Sequence, residues 1–389
     1  MKSYSKEDIN QLILYKQHLS YTSKIDDIIQ IVKNLCGLQA TGTFEPYVYL
    51  FSRKNHFQKD ELEKELYETK TLLKIRGMRN TLFIVAKEDA PFINKATYNL
   101  KENRFDGFFT HSDFTRKEYN ELESKILQVL NNNSLIASDI KKRINSERNV
   151  SIIISLMCDK LLLVREKPPK GWKDRRNRYT LMKNNFSDLN FEDLEENGAI
   201  QNLIRRYITA YGPVTEQDIS WWAGLSKTKT SSAIENIQSQ VEKITCSDDI
   251  YYANKSDIEF LKKSSIPKLP AINLLANLDP YLMGYKNRKR IIKEEIYEFV
   301  FDRSGNATTT ILLNGEVIGI WDFHTKPDPT VKFLLFEKTT KEIKNEIMTQ
   351  VKQIGEFILE QDVKIKECSN PELLTKKSAG TFMRPLKNC

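Results

Sequence analysis

Apolar residues fall at helical spacing three times along this chain, and each time a stretch follows in which apolar and polar residues alternate. In the first case Ile9, Leu12 and Ile13, then Ile28, Ile29, Val32 and Leu35, mark amphipathic helices, and residues 59–67 predict another. Gly37, a residue type that commonly stops a helix, is followed by Gln39 and Thr41 at alternate positions. Leu73-Lys74-Ile75-Arg76 and Leu82-Phe83-Ile84-Val85 flank Gly77-Met78-Arg79-Asn80-Thr81, which predicts two strands with a basic residue at the turn.

The second case has Leu122, Ile126, Leu127 and Leu130 on one helical face, a short helix opening at Ser138 as N-cap, and a third helix over 150–161. Strands at 161–165 and 179–182 then enclose a long loop. In the third, Leu203, Ile204, Tyr207 and Ile208 precede the turn Gly212-Pro213-Val214-Thr215, and Thr215 with Asp218 forms a capping pattern before Trp221-Trp222. Adjacent helical positions do not share a face, so one tryptophan of that pair belongs to the core. Helices with a turn, then two strands joined by a loop, is the winged-helix plan. The expected class is therefore α+β, with winged-helix (helix-turn-helix plus wing) domains at 1–112, 113–190 and 191–264. Residues 265–389 read as a small β-rich unit, onto which the tail at 341–359 docks with Ile343, Ile347, Val351, Ile354 and Ile358 on one face.

A chain of 389 residues suggests two to four compact units, and 40% hydrophobic with 29% charged residues is a globular balance. No apolar stretch approaches the roughly 20 residues a membrane helix needs, and the N-terminus lacks the apolar core of a secretory signal, so a cytoplasmic location is expected. The five cysteines are scattered without a CxxC and the four histidines are isolated, so neither a zinc site nor a disulfide framework is expected. Charge is more telling in distribution than in its sum of +8. Nine Lys/Arg between Lys160 and Lys183 face only Glu166 and Asp174, a net +7 in one segment. Lys167, Lys170, Lys173, Arg175, Arg176 and Arg178, with Trp172 among them, are thus candidate DNA-backbone contacts, and Arg76 and Arg79 at the first wing are others.

Four stretches in this order resemble the AlkZ/YcaQ-like superfamily of winged-helix DNA glycosylases over nearly the whole chain. They are Gly37-Leu38-Gln39, the wing Gly77 to Leu82, Arg205-Arg206-Tyr207 through Tyr211-Gly212-Pro213-Val214-Thr215 to Trp221-Trp222-Ala223-Gly224-Leu225, and Leu278-Asp279-Pro280-Tyr281-Leu282-Met283-Gly284-Tyr285 with Arg288. The resemblance implies tandem winged helices plus a C-terminal β-barrel-like domain, with duplex DNA on a basic concave face. It implies removal of bulky alkylated purines, in some members the unhooking of interstrand cross-links, without metal or cofactor. Asp279 and Arg288 stand where barrel-corner residues are expected, either in a buried structural ion pair or, for Arg288, against DNA. A monomer with no obligate protein partner and no membrane is the expected working form.

In that family the catalytic pair is Gln-x-Gln or Gln-x-Asp. Here it is Gln39-Ala40-Thr41, with Asn80 where glycine is common and Phe83 where histidine is common. A purine alkylated at ring nitrogen 7 is already a cationic leaving group, so a glutamine that holds the attacking water can suffice. Thr41 supplies neither the amide nor the carboxylate of the second position, and losing one positioned group costs a factor of roughly 10² to 10³. Glu45 could replace the carboxylate, although a glutamate before Pro46 ordinarily reads as a solvated loop residue. The alternative to a glycosylase is a non-catalytic winged-helix DNA-binding protein, transcription-factor-like or a damage binder.

Overall fold

Each of the first three segments places helices on a small sheet, as the period changes in the sequence require. The computed structural model describes residues 2–191, 194–246, 249–263, 270–374, 385–386 and 389. In the first segment the helices Lys6–Lys16, Ile28–Asn34 and Lys59–Tyr67 open with side-chain caps or capping boxes, from Ser5 with Asp8, from Asp27, and from Gln58 with Glu61. They accompany a three-stranded sheet, Leu38–Gln39 beside Leu82–Ala86 beside Leu72–Arg76. The second segment repeats the plan with Arg116–Val129, Ala137–Arg143 and Val150–Asp159 on strands Leu135–Ile136, Arg178–Leu181 and Leu163–Glu166. Ser138 is not its cap: the short helix begins one residue earlier, after Ile136, with no side-chain cap. In the third, the helices Glu196–Tyr211, Glu216–Ala223 and Lys227–Asn236 precede the hairpin of Val241–Cys246 with Asp249–Asn254, and the Thr215–Asp218 capping box is formed.

The C-terminal strands order as Ile272–Leu275, Thr310–Leu313, Glu316–His324, Thr330–Leu335 and Lys364–Glu367, antiparallel except for the last pair. Among the described residues this sheet does not close into the expected barrel. The reason is the Lys341–Leu359 helix, which buries Ile347, Val351, Ile354 and Ile358 on the sheet and supplies the apolar cover that closure would otherwise give. The expected boundary between 264 and 265 lies outside the described residues.

Hydrophobic burial joins segments that are distant in sequence. Leu38, Tyr47 and Leu50 share one core with Trp321, Phe333, Val351 and Ile354, so the first segment is packed on the C-terminal sheet and helix. Residues from the Lys6–Lys16 helix share another with Tyr207, Trp222 and Leu312. The second segment has a core largely its own, built from Tyr119, Ile126, Ile153 and Met157. A buried ion pair fastens the helix Glu45–Arg53 to the C-terminal part: Arg53 donates to both Asp279 oxygens at 2.9 and 2.7 Å, both side chains being fully buried. Two isolated cysteines of the sequence turn out to be partners, since Cys368 and Cys389 form a disulfide with their Cα atoms 5.8 Å apart. Among the described residues no helix is long and apolar enough to cross a membrane.

Candidate active site

The site is built where the Ile28–Asn34 helix stops. Cys36 and Gly37 both adopt positive φ, 53° and 102°, and the Gly37 amide donates to the Val32 carbonyl at 2.9 Å, closing the helix end. A side chain at Gly37 would have an unfavourable backbone and would press on the Ile84 carbonyl and Val85, each 3.1 Å from an added Cβ. The reversal delivers Leu38–Gln39 alongside Leu82–Ala86, with Gln39 in register with Phe83. The Ala40 amide continues the pairing to the Leu82 carbonyl at 2.7 Å. Alternation then places Gln39 and Thr41 together, and the Gln39 amide donates to the Thr41 hydroxyl at 3.5 Å. Gln39 is 7% exposed.

Both side chains line a cleft of about 490 Å³. Around it stand Glu45 and Tyr47 from the next helix, Tyr67 and Lys74, Asn277 and Asp302 from the C-terminal part, and Trp172, Asp174 and Arg175 from the basic loop. Tyr47, Tyr67, Lys74, Asn277 and Asp302 had no role in the sequence reading, whereas Glu45 stood there as a possible replacement carboxylate. Lys74 donates to the Tyr67 hydroxyl at 3.0 Å and brings a cation to the wall; its place on the alternating strand was the available signal. Glu45 is no solvated loop residue, being 5% exposed at the first position of Glu45–Arg53. That helix was missed because its apolar run contains Tyr47, Tyr49 and Pro46, which blur the helical period, and because Phe44 gives it no side-chain cap. Burial pushes the Glu45 carboxyl above its ordinary value, against the opposing pull of backbone N–H groups at the helix start and of Arg175.

The basic loop crosses the cleft as a strap. Trp172 packs on Tyr47 with ring centroids 5.0 Å apart and donates its indole N–H to Glu360 at 3.2 Å, just beyond the long C-terminal helix. Lys173 donates to the other Glu360 oxygen at 3.2 Å, and Lys59 to the first at 2.7 Å. These ammonium groups, Lys59 foremost, hold the Glu360 carboxyl down at about 2. Lys167 pairs with Glu63 at 2.8 Å, Arg176 with Asp174 at 2.8 Å, and Arg178 donates to the Ser134 carbonyl at 3.1 Å. Lys170 and Arg175 are exposed, and of the loop's cations Arg175 lines the cleft.

Three expected DNA contacts are placed elsewhere. Arg76 donates to Asp159 at 2.8 Å and to the Asn80 carbonyl at 2.6 Å, tying the first hairpin to the second segment. Arg79, with φ of 49°, lies over the Trp221 ring at 4.1 Å, and burial with the neighbouring Arg288 lowers its pKa to about 10. The turn is therefore docked on the Glu216–Ala223 helix and not displayed, its Met78 fully buried. Arg288 is 6% exposed, lies over Phe301 at 3.9 Å and donates to the carbonyls of Tyr285 and Gly305 and to the Tyr297 hydroxyl. Its role is internal, because its donors are already engaged by a loop it holds in place. Trp222 is the core member of its pair.

Helices on small sheets, an open C-terminal sheet and a cleft holding Gln39 define an α+β fold with a half-enclosed polar site, and residues 32–357 match the family described as DNA glycosylase AlkZ-like. The chain belongs to that family. It is 20% identical over 307 residues to the interstrand DNA cross-link repair glycosylase of Streptomyces sahachiroi, covering 75% of this chain and 81% of that protein. The solved structure of Streptomyces sahachiroi DNA glycosylase AlkZ superposes with a TM-score of 0.76 at 18% identity, over 95% of this chain and 100% of that one.

Proposed function

We propose that this chain is a DNA glycosylase, acting as a monomer on duplex DNA, that hydrolyses the N-glycosidic bond of bulky 7-alkylated purines, interstrand cross-links among them. The observation that carries this reading is Gln39 beside Thr41 in a cleft bounded by Arg175 and Trp172 of the basic loop. Gln39 accepts from the attacking water through its carbonyl and donates through its amide, and the Thr41 hydroxyl completes the water's orientation. The water oxygen bonds to the anomeric carbon, the electron pair of the broken C–N bond neutralises the cationic purine, which leaves without needing a proton, and the proton shed by the attacking water ends in solvent. One side of the cleft is formed by a surface loop and not by a packed element, so a large adduct need not be drawn into a closed pocket. In this reading 1–112, 113–190 and 191–264 are tandem winged-helix units, and 265–389 is the β-rich unit that backs the first.

Gln39 faces the cleft instead of lying under an apolar seal, which favours an enzyme over a damage binder. The test is release of free base from duplex DNA carrying 7-methylguanine, native protein against Gln39→Ala. Release above the spontaneous rate that disappears in the variant is expected. Tight binding without release would point to the binder.

A further inference from the structure

We propose that Glu45 is the catalytic carboxylate of this site, taking over the part that Thr41 cannot play. The inference rests on the glycosylase reading above and adds a second reacting group to it.

Its support is geometric. Glu45 lines the same cleft as Gln39 and Thr41, yet it is 5% exposed, and its Oε2 has no hydrogen-bond partner among the described residues. A buried carboxylate oxygen without a partner costs stability unless something occupies its lone pairs, and a water or substrate group entering from the cleft would do so. The backbone makes room for it: Gly42 passes so close to the carboxylate that a Cβ there would overlap both of its oxygens. Glu45 also opens the Glu45–Arg53 helix, where the N-terminal dipole favours a negative charge. The far end of that helix is fixed by the buried Arg53–Asp279 pair, so the carboxylate is carried on a rigid element. Burial, which raises its affinity for a proton, makes the ionised form a better base than an ordinary glutamate.

In the reaction, the Glu45 carboxylate removes one proton from the water held by Gln39. The water oxygen bonds to the anomeric carbon as the C–N pair departs with the 7-alkylpurine, leaving a protonated glutamic acid, a hydroxylated sugar and a neutral base. Before the proton moves, the negative charge also opposes the developing positive charge on the sugar. The chain thus keeps the chemistry of a glutamine plus a carboxylate, with the acid supplied from the next helix instead of the second motif position.

The test measures single-turnover release of 7-methylguanine by native protein, Glu45→Gln and Gly42→Ala, with affinity for undamaged duplex determined in parallel. Glu45→Gln is expected to lower the rate by about 10² to 10³ while affinity changes less than about threefold. Gly42→Ala, which keeps the glutamate but displaces it, is expected to lose rate similarly, so the proposal stays testable if either variant fails to fold. Full release by Glu45→Gln, with release lost in Gln39→Ala, would overturn the role of Glu45 and leave the glycosylase standing. No release by the native protein would overturn both.

Discussion

Gln39 shows at the scale of one residue how much of the site could be read in advance. Its motif stands in the sequence, and alternate positions put Thr41 beside it, but the sequence does not reveal how deeply it lies. The same holds for Glu45: a glutamate before proline looks like surface chemistry, and it is buried because distant segments close over it. Asp279, expected in a buried ion pair, is in one, but its partner is Arg53 from a helix far away in sequence. Asp279 accepts from Arg53 through both oxygens and from the Tyr281 amide at 2.9 Å, so it serves as ion partner and helix cap together. Asp279→Asn should leave a buried guanidinium uncompensated and cost about 3–5 kcal/mol. Equilibrium denaturation by urea checks this; a loss within about 1 kcal/mol would mean that water reaches Arg53 in the variant.

At the scale of elements, the helices with caps were the most legible. Lys59–Tyr67 and Lys341–Leu359 match their apolar periods, and Thr215 with Asp218 caps as its spacing predicts. What periodicity could not supply was which loops are free. The first hairpin turn looked like an exposed basic tip, but Arg79 is spent on Trp221, whereas Arg175 on the strap faces the cleft. Arg175→Ala should therefore lower the slope of log affinity for duplex DNA against log salt by about 0.9, the share of one neutralised phosphate. Arg79→Ala should leave that slope unchanged and reduce stability; the reverse pattern in salt titrations would mean that the turn undocks to meet DNA.

The strap itself should respond to acid. The folded-state pKa of Glu360, about 2, lies below its ordinary 4.5, so its contacts contribute fully above pH 4.5 and are lost as pH falls toward 2. The fluorescence of Trp172, taken as native minus Trp172→Phe, should change across that window. Glu360→Gln should abolish the change. Persistence of the transition in that variant would place the titrating group elsewhere.

Over the whole molecule, the family was legible in four short stretches because each marks a backbone requirement: a helix stop, a tight turn, a capped helix, a buried corner. The assembly was less so. Local periodicity marks units in series, while the actual cores run between them, with Tyr47 in one core with Trp321 and Tyr207 in another with Leu312. That interleaving brings a motif from residues 39–45, a strap from 167–178 and a loop near Asn277 and Asp302 to one cleft. The barrel expectation failed for a related reason, since a helix rather than further strands covers the five-stranded C-terminal sheet.

The most direct measurement is single-turnover incubation of excess protein with a duplex carrying one bulky 7-alkylguanine, counting abasic sites and free adducted base over time for native protein and Gln39→Ala. Equal yields of free base and abasic site, formed faster than in protein-free DNA by the native chain and at the spontaneous rate by Gln39→Ala, are expected. Identical time courses for both proteins, or binding of the duplex with no base released, would refute a glycosylase centred on Gln39.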